Sequence, residues 1–165
     1  MSNLEPLNFP ESIYLADYSG NFSLYFKEVY SIFKDHFITN KPFYKGAKVG
    51  TKRFPEVDGV HRTFYHITHE GENEHDRIPD LNRMERIRFP KFIIDNCPHD
   101  ELLIWVKQIR KENRIHILNE DERYLLVLNE RDGYYLLWTA FYIEHSHTLR
   151  KKKKEYIDYI NAETA

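Results

Sequence analysis

The sequence has little of what would mark a secreted or membrane protein: it contains a single cysteine, Cys97, and no long hydrophobic run. One cysteine cannot form an internal disulfide, so we expect a reduced, buried residue of a cytoplasmic protein. No run approaches the length of a transmembrane helix, and the N-terminus lacks the basic and apolar regions of a signal peptide. The absences exclude a disulfide scaffold and predict a protein with no membrane partner.

A phosphate-binding loop is also missing. Residues 45–54 contain two glycines, but no helix clearly follows them and no Gly-Lys-Ser/Thr occurs. We predict that this segment is a strand with a glycine-permitted bulge. Its basic residues therefore carry no nucleotide-binding motif of this kind.

The hydrophobic content of 41% is enough to build a core, so the chain is not expected to be disordered. Aromatic residues make up 15%, with 12 Tyr and 11 Phe, which favours β structure and permits stacking on nucleic-acid bases. A length of 165 residues predicts one domain over 1–165, with an N-terminal helical segment at 1–42 and a core at 43–165.

Charge is close to neutral overall but unevenly distributed. The whole chain has a formal net charge of −2, whereas residues 41–154 carry a net +4 from 22 Lys and Arg against 18 Asp and Glu. The acidic excess lies in the two ends, at 1–40 and 155–165. A positive middle is compatible with a face that binds phosphate groups.

Hydrophobic spacing predicts three helices and an antiparallel sheet. An aromatic stripe at spacings of four and three follows Gly20 and predicts a core-facing helix. A second helix is predicted at 98–113, and a basic third one at 148–161. Strands are predicted at 114–118 and, as a hairpin, at 124–128 and 134–143. The predicted fold is α+β, with an antiparallel sheet of about four to five strands and an N-terminal, a middle and a C-terminal helix.

Three segments carry the candidate chemistry. Residues 63–68 read as a strand that delivers His66 and stops at the Glu-Gly pair before residue 72. Residues 82–91 form a cluster of cations, with 86–89 as a short extended segment. The predicted strand at 136–142 contains Thr139 and Tyr142 as its hydroxyl-bearing residues.

The same segments resemble a known group of ribonucleases. Phe-Tyr-His-Ile-Thr at 64–68, Arg-x-Glu-Arg-Ile-Arg-Phe-Pro at 83–90, the hairpin and Thr-Ala-Phe at 139–141 resemble phage-type members of the barnase–EndoU–colicin–RelE superfamily. The resemblance covers about residues 45–155. It implies a small α+β ribonuclease, often a toxin or mobile-element effector, that cuts RNA without metal. Tyr65, Phe89 and Phe141 are aromatic departures from the family pattern.

Metal-independent RNA cleavage requires proton transfer and stabilisation of a dianionic phosphorane as the 2′-hydroxyl attacks the adjacent phosphorus. We expect His66 to move a proton, and Arg83 and Arg86 to stabilise the phosphate charge. Thr139 is expected to hydrogen-bond the phosphate or align the 2′-hydroxyl. Further RNA contacts are predicted from the remaining candidates, which are Arg88, Lys91, Tyr65, Tyr142 and His147.

The predicted partners are RNA and, if the chain is a toxin, an antitoxin or immunity protein. The lysine run at 151–154 is expected to be a solvated helix face that can follow the RNA backbone. The alternative function is a non-catalytic RNA- or protein-binding module on the same sheet, with His66 as a hydrogen-bonded structural residue. The arginine cluster is as well explained by salt bridges to Glu85 or Asp80.

A metal site is the main alternative on spacing, although we predict no metal and no other cofactor. His66, His69, His75 and Asp76 can supply nitrogen and oxygen ligands, and Glu70 adds a fifth. No cysteine joins them, and no recognised zinc spacing occurs.

Overall fold

Short helices and strands alternate along the first two thirds of the chain, and a four-stranded meander and a long helix follow. The computed structural model describes residues 5–73 and 76–164. The helices are α1 (Phe22–Lys34), α2 (Arg62–Thr68), α3 (Leu81–Glu85), α4 (Phe89–Asp95) and α5 (Ser146–Thr164). The strands are β1 (Phe43–Tyr44), β2 (Ala47–Gly50), β3 (His69–Glu70), β4 (Ile78–Pro79), β5 (Leu103–Ile109), β6 (Glu112–Asn119), β7 (Tyr124–Glu130) and β8 (Tyr135–Tyr142).

Helix α1 is the predicted N-terminal helix. It begins after Asn21, whose side chain accepts a hydrogen bond from a first-turn N–H, the usual role of an N-cap residue. Its inward side buries Val29 and Phe33 completely, and a π-helical turn after α1 buries Phe37. The aromatic stripe is therefore core packing, as its spacing predicts, and only Phe22 at its start is exposed.

Six strands form one sheet in the order β1-β2-β8-β7-β6-β5. All neighbouring pairs are antiparallel except β2 and β8, which are parallel. The predicted hairpin is confirmed, with Glu130 opposite Tyr135 next to the turn. The α+β class with a mostly antiparallel sheet is also confirmed, and the sheet has one strand more than the upper end of the prediction.

A bulge interrupts β8 at Trp138. Val127 pairs with Thr139 while Leu128 pairs with Leu137, so Trp138 is the extra residue. Paired residues share a face of the sheet, which places Thr139 on the side of Val127. The extra residue brings Trp138 to that same face, beside Thr139.

The two faces of the sheet pack against different elements. One face joins α1, α2, α3 and α4 in the main core, with Phe64, Met84 and Leu126 at its centre. The other face carries a smaller cluster around Trp105 and Leu125, against which Leu149, Tyr156 and Tyr159 of α5 pack. An ion pair of 3.4 Å between Lys107 and Glu155 adds to this contact. The predicted C-terminal helix is confirmed as α5, which lies across the second face.

The predicted middle helix at 98–113 is wrong. Residues 103–109 form β5, which pairs along its whole length with β6. Within β5, Trp105 is buried on the α5 side, and Ile104 and Val106 pack on the main core. This alternation serves two different apolar faces, which a helix with one apolar stripe would not do.

The predicted strands at 63–68 and 86–89 are also wrong. Residues 62–68 form α2, which buries Phe64 and Ile67 in the main core although β-forming residues dominate the segment. Residues 81–85 form α3, and α4 begins at Phe89 with Pro90 in its first turn. Proline is well tolerated in a first turn, where its missing N–H has no helical partner to lose. The chain therefore has three short middle helices where the sequence predicted two extended segments.

Within residues 5–73 and 76–164, every helix is too short or too polar to cross a membrane.

Candidate functional site

Strand β2 pairs with only the first two residues of β8, and α2 packs beside β8 further along the strand. Gly50 pairs with Leu136, and the chain then leaves the sheet. The backbone N–H of Thr63 donates to the carbonyl of Lys52 at 3.0 Å, and the Lys52 N–H donates to the Thr63 hydroxyl at 2.8 Å. These bonds fix the chain around Lys52 against the start of α2. As a result, Lys52 and α2 lie together at the edge of β8.

A cavity of about 190 Å³ opens at this junction. His66 and Arg62 line it from α2, and both side chains are half-buried. Trp138 of the bulge lines it from β8. The complete lining consists of Lys52, Arg62, Thr63, His66, Leu136, Leu137 and Trp138. Two cations, an imidazole and an indole thus share one small cavity.

Cations surround the Trp138 ring. The guanidinium carbon of Arg114 lies 4.6 Å from the ring centroid, the Lys52 ammonium 5.7 Å and the Arg131 guanidinium 6.0 Å. Such distances allow cation–π attraction and hold the ring in place. The indole is therefore half-buried in positively charged surroundings, in the same cavity as His66.

Glu112 organises two of these cations. Its carboxylate is 3.3 Å from Arg114 and 3.5 Å from Arg131, and it accepts a hydrogen bond of 2.8 Å from the amide of Asn129. The hydrogen bonds from Asn129 and Arg114 lower the pKa of Glu112. One carboxylate against Arg114, Arg131 and Lys52 leaves the surroundings of Trp138 positive.

Arg83 does not line this cavity. Its Nη1 donates to the backbone carbonyls of His66 at 3.3 Å and His69 at 3.1 Å, and its Nε is 3.2 Å from Asp80. Its guanidinium also lies 5.3 Å from the Phe141 ring centroid. Arg83 thus binds the carbonyls at the C-terminal end of α2, where cations are favourable.

The other predicted cations also have partners within the protein. Arg86 lies 4.2 Å from the Tyr142 ring centroid and donates to a backbone carbonyl of α3 at 2.9 Å. Arg88 donates to the carbonyl of Glu11 at 3.0 Å. Lys91 donates to the carbonyl of Asn40 at 3.1 Å. These contacts tie α3 and α4 to neighbouring segments, away from the cavity that contains His66.

Arg83 and Tyr142 instead line a separate cavity of about 180 Å³, together with His145. The His147 ring lies 5.5 Å from that of His145 at the start of α5. Of the residues predicted to act together, His66 is thus in one cavity, and Arg83 and Tyr142 are in another. Thr139 is half-buried on β8 beside Trp138 and lines neither.

Tyr65 supports α2 and has little contact with solvent. It is only 2% exposed, its ring stacks on His69 with centroids 4.1 Å apart, and its hydroxyl donates to the carbonyl of Arg77 at 3.2 Å. Tyr65 therefore packs below the surface that its neighbour His66 lines.

The geometry of the described residues gives little support to the alternative metal site. His69 is buried, its Nδ1 lies 3.1 Å from the carbonyl of Tyr65, and burial lowers its pKa. His75 lies outside the described residues. In the described part of the chain, no three His, Cys, Asp or Glu side chains come close enough to hold a metal ion.

Cys97 is a free, half-buried thiol at the end of α4. Burial raises its pKa to about 12, so it is overwhelmingly protonated at neutral pH and a poor nucleophile.

Five residues around the His66 cavity were not predicted from the sequence: Lys52, Arg62, Arg114, Arg131 and Trp138. A local signal existed for Trp138, because it is a large aromatic residue in a strand that also contains a polar Thr at the next position. The four cations come from four different segments, so no local pattern brings them together.

No known family model matches this sequence, and no curated protein and no solved structure matches it. The function is therefore inferred from the residues and their geometry.

Proposed function

We propose that the protein is a metal-independent endoribonuclease and that RNA binds at the cavity between α2 and β8. The observation that carries the proposal is the presence of His66, Arg62 and Lys52 in one cavity beside Trp138. A base stacked on the indole would put its phosphate within the reach of the two cations. The resemblance to the barnase–EndoU–colicin–RelE superfamily points to the same activity and to a toxin or mobile-element effector.

The proposed reaction needs no external nucleophile. His66 takes the proton of the 2′-hydroxyl, the 2′-oxygen bonds to phosphorus, and the bond from phosphorus to the 5′-oxygen breaks. The Lys52 ammonium protonates the departing 5′-oxygen, and the proton held by His66 then returns through water to Lys52, which resets both groups. Arg62 and Lys52 offset the charge of the phosphorane. The products are a 2′,3′-cyclic phosphate and a free 5′-hydroxyl.

The remaining predicted residues have supporting roles in this proposal. Arg83 fixes the C-terminal end of α2, and therefore the helix that carries His66, through the backbone. Arg86 supports the RNA site only indirectly, because its contacts are with Tyr142 and α3 and not with the helix that carries His66. Thr139 adjoins the stacking surface and is proposed to hydrogen-bond the RNA backbone.

The second candidate function is a non-catalytic RNA-binding module. It is favoured by the three cations around Trp138, which form a stacking surface that does not require His66. The two functions predict different results for a variant that lacks the His66 imidazole but keeps Trp138 and the cations around it. An antitoxin or immunity protein, if the protein is a toxin, would bind over the same surface.

The decisive experiment incubates the pure protein with single-stranded RNA in EDTA and determines the fragment ends. We expect 2′,3′-cyclic phosphate ends, no cut where the sugar is 2′-deoxy, and a loss of about 10²-fold or more for His66→Ala, because it removes the proton-transfer group. His99→Ala is the matched control, since His99 is not among the predicted RNA contacts and lies before β5 outside the cavity, and it should keep full activity.

The outcomes separate the candidates. Loss of cleavage in His66→Ala with unchanged RNA binding supports the nuclease. RNA binding without cleavage by the unaltered protein supports the binding module. Cleavage of the 2′-deoxy substrate, or activity that EDTA abolishes and a divalent ion restores, rejects the proposed mechanism.

A further inference from the structure

We propose that the bound RNA is single-stranded and continues from the His66 cavity into a second, basic cavity beside it. This inference rests on the proposed function and specifies its substrate. The second cavity measures about 590 Å³ and lies between β2 and the turn that joins β7 to β8. Its lining includes Lys41, Lys48, Lys52, Arg131, Tyr134 and Leu136.

The two cavities adjoin. Lys52 and Leu136 line both of them, so a chain that leaves one can enter the other across these two residues. Arg131 connects them as well, because it lines the second cavity and approaches the Trp138 ring at the first. A polymer with a charge on every unit fits two adjoining cavities better than a single small anion does.

The positive charge of the second cavity is poorly balanced. Within residues 5–73 and 76–164, no carboxylate lines either cavity, and none lies within ion-pairing distance of Lys41, Lys48 or Lys52. By contrast, Lys152, Lys153 and Lys154 of α5 each pair with a carboxylate at 2.7 to 3.4 Å. Arg131 has a counterion in Glu112 at 3.5 Å, whereas the three lysines of the cavity are held together without one among the described residues, and a polyanion would relieve their mutual repulsion. The unbalanced cavity is therefore a better site for phosphates than the lysine run of α5.

Tyr134 indicates that the strand is single. It is a large aromatic residue, 44% exposed, at the second cavity, and Trp138 provides the stacking surface at the first. Aromatic rings stack on the faces of bases, which are covered by neighbouring base pairs in a duplex and accessible in an unpaired strand. Two aromatic surfaces along one basic path therefore favour unpaired nucleotides.

The test measures the binding of a labelled single-stranded oligonucleotide with 2′-O-methyl sugars, which cannot be cleaved. We expect Lys41→Gln with Lys48→Gln to weaken binding about 20-fold at 0.1 M salt, and the slope of log affinity against log salt to become less steep by about 1.4, the loss for two phosphate contacts to a single strand. The matched control is Lys27→Gln with Lys111→Gln, which changes the net charge equally at exposed positions outside both cavities, on α1 and in the turn between β5 and β6. The control pair should retain nearly full affinity, and both double variants should melt at the temperature of the unaltered protein.

Several outcomes would overturn the inference. Equal weakening by the control pair would mean that general charge, not the second cavity, attracts the RNA. Duplex RNA bound as tightly as the single strand would reject the single-stranded substrate. Poly-glutamate bound as tightly as the oligonucleotide would assign the cavity to an acidic protein partner. Because the oligonucleotide is uncleavable, its binding is measured independently of the cleavage assay. Unchanged affinity in the Lys41 and Lys48 double variant would reject the second cavity as part of the RNA path, even if the protein cleaves RNA.

Discussion

Arg83 donates a hydrogen bond to the backbone carbonyl of His66 over 3.3 Å. The two residues expected to act as catalytic partners are therefore joined through the main chain at the end of α2. The same guanidinium nitrogen also donates to the carbonyl of His69 at 3.1 Å. This geometry makes Arg83 a support for the helix that carries His66.

Replacement of Arg83 should therefore lower stability. Arg83→Met removes charged hydrogen bonds at the C-terminus of α2, and we expect the free energy of unfolding to fall by about 2 kcal/mol, measured by urea denaturation. Arg88→Met is the matched control and should cost less, because Arg88 makes one exposed bond to a carbonyl. Unchanged stability together with a loss of cleavage of about 10²-fold would instead mean that Arg83 contacts the phosphate.

Trp138 should report RNA binding by its fluorescence. The protein has two tryptophans, and Trp105 is 1% exposed, so stacking of a base should quench only Trp138. We expect Trp138→Phe to abolish the quenching, and Trp138→Ala to weaken binding about tenfold or more, since one stacked base contributes about 1–3 kcal/mol. Tyr14→Ala, which removes an exposed ring far from β8 in the chain, is the control. Full quenching in Trp138→Phe would contradict the stacking surface.

Thr139 tests whether the bulge serves the reaction. If its hydroxyl binds the RNA backbone, Thr139→Ala and Thr139→Val should both reduce the cleavage rate by about fivefold, the effect of one neutral hydrogen bond. Valine keeps the β-branched shape of threonine and therefore isolates the hydroxyl. A loss in Ala but not in Val would show that the shape of the side chain matters and the hydroxyl does not. Initial rates on one RNA substrate measure the effect.

Acid should destabilise the protein through buried histidines. Burial lowers the pKa of His116 to about 4, from an ordinary value near 6.5. Between these values the unfolded chain binds a proton that the folded chain does not, so stability is complete above about pH 6.5 and is lost as the pH falls toward 4. The loss from His116 is on the order of 3 kcal/mol. His61, with a pKa also lowered to about 4 by burial, should add a similar loss.

The pH prediction can be checked by urea denaturation at several pH values. We expect His116→Phe to make the fall between pH 6.5 and 4 shallower, because one of the buried histidines no longer titrates while an aromatic ring remains to stack on Trp105. His147→Phe should leave the profile unchanged. An identical slope in His116→Phe would show that His116 is not a source of the acid sensitivity.

The correct fold predictions came from local patterns. The hairpin of β7 and β8 and the helix α1 each follow from residues close together in the chain, through turn composition and hydrophobic spacing. The hairpin of β5 and β6 was missed because its turn contains no glycine. Arg110 and Lys111 occupy it with φ values of 50° and 68°, which non-glycine residues seldom adopt.

The error at α2 has a different physical cause. Its aromatic and β-branched residues favour a strand by propensity, but burial of Phe64 and Ile67 against α1 and the sheet stabilises a helix. Pro90 was a readable signal for the start of α4, since proline is common in a first helical turn. His66 could be singled out from the sequence, whereas the cations around it come from distant segments and required the three-dimensional structure.

The parallel pairing of β2 with β8 has a consequence for synthesis. Lys52 and His66 are translated early. The cavity that they line is completed by Leu136, Leu137 and Trp138 of β8, which are translated about 70 residues after His66. Contacts between distant segments form late in folding, since the chain between them must first be ordered. During translation, the nascent chain therefore lacks the proposed RNA site until Trp138, in the first half of β8, has left the ribosome.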